Sequence, residues 1–189
     1  MKKVTTILTL LFSFPLFLGN IPAQMGLEYR SIEDLMVKEW FKEHVRNKRA
    51  AYKLPSDEEF LEDLWRIINL ISFETDLDPL LLISIIDVES DFRNVVGLSG
   101  ELGMMQIKRE TAIFVSKQFG LDEPETGWTE LLWNYSLNIR YGAYYLKYLL
   151  EKCGNLRTAL EYYNGGSAKK RYAQEILKLY EKFKKDLGL

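Results

Sequence analysis

The sequence predicts an all-α fold, and three observations predict it. Apolar residues recur three, four and seven positions apart, no segment shows a convincing period-2 alternation, and capping residues punctuate the helical stretches. Apolar residues make up 47% and charged residues 28%, the balance of a globular chain rather than a disordered one.

The chain opens with "MKKVTTILTLLFSFPLFLGNIPAQ", in which Lys2 and Lys3 precede an apolar run from Val4 to Leu18, followed by Asn20, Pro22 and Ala23. That is the order of an export signal, and the run is short of the roughly 20 residues a membrane span needs. Residues 1–23 are therefore expected to be a signal peptide cleaved near Ala23, or else an N-terminal anchor. The protein is expected to be exported to the periplasm or cell envelope. Residues 24–75 form an expected N-terminal helical extension, and residues 76–189 the main domain.

Ser31 is expected to cap a helix running to about Arg49. Pro55 then breaks the pattern, and Ser56 with Glu59 reads as a capping box before Phe60, Leu61, Leu64, Ile67, Ile68 and Ile71 at helical spacing. Asp78 and Pro79 form an N-cap and first-turn pair for a short helix from Pro79 to Ser90. A loop with Gly97, Gly100 and Gly103 follows, then a helix from about Arg109 to Phe119 and a loop over 121–130. A long helix from about Asn134 to Cys153 ends at Gly154. Asn155 caps the next, which stops at "NGG", and the last helix runs from about Ala168 to Leu187.

Several chemistries lose their basis in the composition. With one histidine, His44, and one cysteine, Cys153, the sequence supplies neither a multi-histidine metal site nor a histidine triad nor an internal disulfide. No metal or cofactor is expected. A net charge of −2 leaves no footprint for nucleic acid. The basic run from Lys42 to Lys53 reads as a solvated face.

The candidate chemistry lies in "SIIDVESDF", residues 84–92. On a helix Glu89 shares the stripe of Leu82, Ile85 and Ile86, whereas Asp87 and Asp91 lie about 200° away. An apolar surround and the helix C-terminus both disfavour a negative charge, so the pKa of Glu89 should rise. A carboxyl group held neutral near neutral pH can protonate a leaving-group oxygen. The ordinary reading is a glutamate extending from a helix end into water.

Downstream motifs favour the chemical reading. "VESDF", "GELGMMQIKRETA", "NIRYGAYYL" and "ALEYYNGG", in this order over roughly residues 77–180, resemble the lytic transglycosylase and goose-type lysozyme family. The resemblance implies a lysozyme-like domain acting on peptidoglycan glycan strands. A monomer is expected, with an envelope or secretion-machinery partner. The resemblance makes Glu89 the acid and then the base, with Ser90 beside it at the floor of the cleft. Gly103, Met104, Met105 and Gln106 match a Gly-Leu-Met-Gln turn that approaches sugar. Tyr163, Asn164 and Gly166 match a Tyr-Asn-x-Gly motif, and Tyr172 falls where the family places a tyrosine near the catalytic carboxyl. The substrate-binding set is thus Ser90, Gly103, Met105, Gln106, Tyr163, Asn164 and Tyr172.

Departures from the pattern also stand out. Glu101 replaces a common alanine, Arg109 a common proline, Tyr162 and Gly165 small alanines, and Gly97 a frequent serine. A solvated surface role is expected for Glu101. Met104 and Met105 also fit ordinary packing, and Tyr141, Tyr144, Tyr145 and Tyr148 fit a core more readily than a sugar platform. The resemblance implies a non-hydrolytic transglycosylase. A hydrolase with a second carboxylate, and a glycan-binding scaffold without turnover, are the alternatives.

Overall fold

A computed structural model describes residues 32–189, with side chains from Asp34 onward. The expected signal and the Ser31 cap lie outside the described residues. Seven α-helices follow in order: α1 (Ile32–Ala50), α2 (Glu58–Thr75), α3 (Pro79–Ser90), α4 (Arg109–Phe119), α5 (Tyr135–Cys153), α6 (Leu156–Asn164) and α7 (Lys169–Leu187). A 3-10 turn over Trp128–Leu132 closes the loop that was expected to be irregular. Among the described residues, β pairing is limited to the isolated bridges Val96 to Leu102 and Leu102 to Ile107.

Local signals account for the starts and stops. Asp78 accepts the Leu80 N–H at 2.8 Å with Pro79 in the first turn, Asn134 caps α5, and Asn155 caps α6. The expected Ser56–Glu59 capping box does not form. Asp57 is the cap of α2, accepting the Phe60 N–H at 2.9 Å, because the Ser56 hydroxyl is taken by the Arg49 guanidinium at 3.1 Å. Left-handed residues at Gly120, Gly154 and Gly165 end α4, α5 and α6.

Helix α3 lies at the centre. Every residue from Leu80 to Asp87 is buried, so it has no solvated face and its apolar stripe widens to the whole circumference. Packed against it are α2 and α7, while α5 packs on α2, α4 and α6. One continuous core joins α1 and α2 to the rest: Phe41 and Val45 of α1 and Leu61, Leu64 and Ile68 of α2 share it with Ile85, Leu146 and Phe183.

The basic run of α1 is not the solvated face it resembled. Lys42 is buried among Glu39, Glu58 and Glu62, and His44 and Lys48 both reach the buried Asp87. Lys48 also bonds Asp91 at 3.0 Å, and the Tyr52 hydroxyl donates to Asp91 at 2.6 Å. Arg49 is buried and donates to the Phe92 carbonyl at 2.6 Å. These contacts hold the exit of α3, where Asp91 (φ 50°) and Phe92 (φ 59°) are consecutively left-handed. Non-glycine residues in that region cost about 1–3 kcal/mol each, so the turn depends on the groups that brace it.

Candidate active site

Glu89 sits on the last turn of α3, half-buried, and its Oε1 accepts a hydrogen bond from the Tyr172 hydroxyl at 2.5 Å. Tyr172 belongs to the first turn of α7, so the contact joins the two helices that pack closest around the acid. Burial pushes the Glu89 carboxyl up to about 7; the Tyr172 hydrogen bond opposes this, and the negative charge of Glu101 adds to it. Near neutral pH the group is therefore divided between its acid and its base form, which suits a residue that must give a proton and take one back.

The tyrosines around it stay neutral. Burial, reinforced by the charge of Glu89, pushes the phenols of Tyr163 and Tyr172 well above their ordinary range. Their rings are stacked with centroids 6.5 Å apart and 4° between planes, and Tyr145 packs on Tyr163 at 5.4 Å. The other tyrosines of α5 are core or flank residues, as expected. Tyr141 is fully buried, Tyr144 packs on Phe119, and Tyr148 packs on Phe114.

The loop after α3 is folded onto α5. Gly103 (φ +75°) comes so close to the Leu131 carbonyl and the Asn138 side chain that a Cβ there would overlap both. Gly142 does the same for Met105, whose sulfur lies 2.5 Å from where a Cβ would stand. Fully buried Asn138 fastens the turn from below: its Oδ1 accepts the Met105 N–H at 2.7 Å and its Nδ2 donates to the Leu102 carbonyl at 2.7 Å. Asn138 lies within "NIRYGAYYL" and is not among the residues the sequence motifs single out. The available signal was a polar residue three and four positions from Tyr141 and Gly142 on an inward helix face.

The turn's residues divide between scaffold and cleft. Ser90 is 2% exposed, and its hydroxyl donates to the Met104 carbonyl at 2.8 Å, so it braces the floor from beneath. Met104 and Met105 are both fully buried, which makes both packing residues, and the Met105 carbonyl accepts the Tyr163 hydroxyl at 3.1 Å. Gln106 is half-buried with φ 49°; its Nε2 donates to the carbonyls of Val95 and Gly103, which leaves Oε1 turned toward Gly97. Asn164 is exposed at the end of α6, its Oδ1 accepting the Gly166 N–H at 3.2 Å. Glu101, expected to be a solvated surface group, has a side chain 24% exposed and paired with Lys108 at 3.3 Å.

This arrangement brings Glu89, Tyr163, Tyr172 and the Gly103–Gln106 turn together from α3, α6, α7 and the loop. Asp87 and Asp91 are directed away from it, into the α1 contacts. No curated protein matches the chain. Solved structures do. The lytic transglycosylase Slt from Pseudomonas aeruginosa, in an inactive mutant form, superposes with a TM-score of 0.59 at 18% identity, over 86% of this chain and 31% of that one. The 70 kDa soluble lytic transglycosylase Slt70 from Escherichia coli gives 0.62 at 18%, over 82% and 30%. A complex of the 70-kDa soluble lytic transglycosylase with bulgecin A gives 0.63 at 19%, over 86% and 32%. The chain thus has the all-α lysozyme-like fold and spans about a third of the length of the structures it matches. Residues 68–185, more than half of the chain and all of the cleft, match the transglycosylase SLT domain, and the chain belongs to that family.

Proposed function

We propose that the protein is a peptidoglycan lytic transglycosylase that cuts the β-1,4 bond between N-acetylmuramic acid and N-acetylglucosamine. The observation that carries this reading is a single carboxyl group, Glu89, poised near neutrality by burial and held by Tyr172. In the protonated form Glu89 gives its proton to the glycosidic oxygen as the C1–O bond breaks. The acetamido oxygen of the same muramic residue attacks C1. Glu89, now a carboxylate, takes the proton of the C6 hydroxyl, whose oxygen displaces the acetamido oxygen at C1 and closes a 1,6-anhydro ring. Since the substrate supplies both nucleophiles, one carboxyl group suffices, and it ends the cycle protonated as it began.

Tyr172 supports this cycle from α7 by stabilising the ionised form just enough for the second step. The stacked Tyr163 and Tyr172 rings wall the acid from water. Residues 1–23 are read as the export signal or anchor that delivers the protein to the envelope, and α1 and α2 as a layer on the catalytic body. Mass spectrometry of the muropeptides released from purified peptidoglycan tests the reaction directly. Anhydro products, lighter by one water, are expected; products with reducing ends would transfer the assignment to a hydrolase.

A further inference from the structure

Two arginines line one depression between the turn that follows α1 and the loop that follows α3. It has a volume of about 470 Å³ and is walled by Arg49, Tyr52, Leu54, Arg93, Asn94 and Val95. Arg49 forms its buried back, with its guanidinium donating to the carbonyls of Pro55 and Phe92 and to the Ser56 hydroxyl. Arg93 is half-buried. Its Cζ lies 3.6 Å from the centroid of the Tyr52 ring, and its Nε donates to the Ser90 carbonyl at 2.7 Å. These two contacts fix the plane of the guanidinium and leave its terminal nitrogens without a partner among the described residues. Cations nearby are matched: Lys42 meets three glutamates, and Lys48 meets Asp87 and Asp91. Asp91 is committed to Lys48 and the Tyr52 hydroxyl, and among the described residues neither arginine has an ion-pair partner.

Val95 ties this depression to the cleft. Its carbonyl accepts the Gly103 N–H at 2.9 Å and Gln106 Nε2 at 3.1 Å, so one backbone segment walls the depression and supports the Gly103–Gln106 turn. Resting on the peptidoglycan reading above, we propose that Arg93, laid flat on Tyr52, is a specificity residue that binds a carboxylate of the peptide carried by the muramic residue. A planar guanidinium with both terminal nitrogens open takes a carboxylate through two parallel hydrogen bonds. Peptidoglycan presents that group: the lactyl ether of muramic acid bears a short peptide with free carboxylates, whereas bare glycan has none beyond the sugar. The reach also fits. An extended peptide of four residues spans roughly 13 Å, and the Arg93 guanidinium is bonded to Ser90, the neighbour of Glu89. A depression of this volume takes a few residues rather than a folded partner. Leu54 and Val95 on its walls offer apolar contact to the methyl groups of such a peptide.

NMR of the folded full-length protein, with 15N in the backbone and the arginine side chains, reads binding without turnover. The probe is the tripeptide L-alanyl-γ-D-glutamyl-diaminopimelate, and the controls are its fully amidated counterpart and acetate. The tripeptide should shift the Arg93 Nε–H and the Val95 amide saturably, and neither control should do so at the same concentration. Arg93→Gln should weaken tripeptide binding about tenfold, the worth of hydrogen bonds to a charged group in a half-exposed site. Arg93→Lys, which keeps the charge without the planar fork, should fall between. In kcat/KM the unmodified protein should prefer peptide-bearing strands to strands stripped by an amidase, and Arg93→Gln should cut that preference about tenfold. No shift with the tripeptide in the unmodified protein, an equal response to either control, or an unchanged preference in folded Arg93→Gln would overturn the proposal. Tripeptide binding by a protein without lytic activity would reject the catalytic reading and leave the subsite; lysis without tripeptide binding would do the reverse.

Discussion

Tyr172 donates its phenolic hydrogen to Glu89 from the opposite wall of the cleft, 83 residues further along the chain, at 2.5 Å. The bond favours the ionised carboxylate, against the burial that disfavours it. Tyr172→Phe removes the bond and keeps the ring stacked on Tyr163. The Glu89 pKa should then rise above about 7, the alkaline limb of the pH–rate profile should move up with it, and kcat should drop roughly tenfold, the worth of one hydrogen bond to a charged group. A downward shift of the limb would show that the phenol acts on the acid in some other way.

Glu89→Gln separates chemistry from stability. It keeps the shape but carries no transferable proton, and turnover should fall by more than about a hundredfold. Stability should change with a definite sign. The folded pKa of about 7 exceeds the usual 4.5, so the folded state holds more protons than the unfolded state between those values, and the native protein loses stability as pH rises through that window. Relative to wild type, Glu89→Gln should gain little at pH 4 and up to about 2–3 kcal/mol at pH 8, read as a rise in Tm. Equal Tm differences at both values would contradict the raised pKa.

Asn138 sets the height of the Gly103–Gln106 turn. Asn138→Ala strands the Met105 N–H and the Leu102 carbonyl in the interior, at a cost of about 2–4 kcal/mol in urea unfolding. Asn138→Asp keeps the acceptor for Met105 but sets a buried carboxylate oxygen against the Leu102 carbonyl, and is expected to cost at least as much. If both variants unfold at the wild-type midpoint, the two hydrogen bonds carry no net weight.

Activity should survive a chelator. The sequence holds one histidine and one cysteine, and His44 is committed to the buried Asp87. Turnover in excess EDTA should match that of the untreated protein. Loss on chelation, reversed by a divalent cation, would require a site the proposed mechanism does not use.

Helix starts and stops were legible in the sequence because they are local. Asp78, Asn134 and Asn155 each bond an N–H within three residues, and Gly154 and Gly165 end helices by their own conformation. Glu89 was legible as an acid on an apolar helix, and the order of motifs supplied Tyr172. The roles of Lys42, Arg49 and Asp87 were not legible. A buried ion pair and a solvated charge look alike in a sequence when the partners are 16 to 43 residues apart. Glu101 was hidden for a related reason. A Cβ at Gly97 would stand 2.5 Å from its Oε2, and that spacing is a property of the folded loop alone.

The Arg49 contact with Phe92 has a practical meaning for anyone who cuts this chain. Family similarity begins at residue 68, yet the groups that neutralise Asp87 and brace the left-handed turn below the acid lie at 44, 48, 49 and 52. A fragment trimmed to residues 68–185 would keep every residue of the cleft and lose the wedge that keeps its floor in place. Asp87 would lose both of its α1 partners, and Phe92 would be free to relax out of its strained backbone. The stretch matched by the family model and the unit expected to fold on its own therefore have different borders here, and α1 belongs to the second even though it precedes the first.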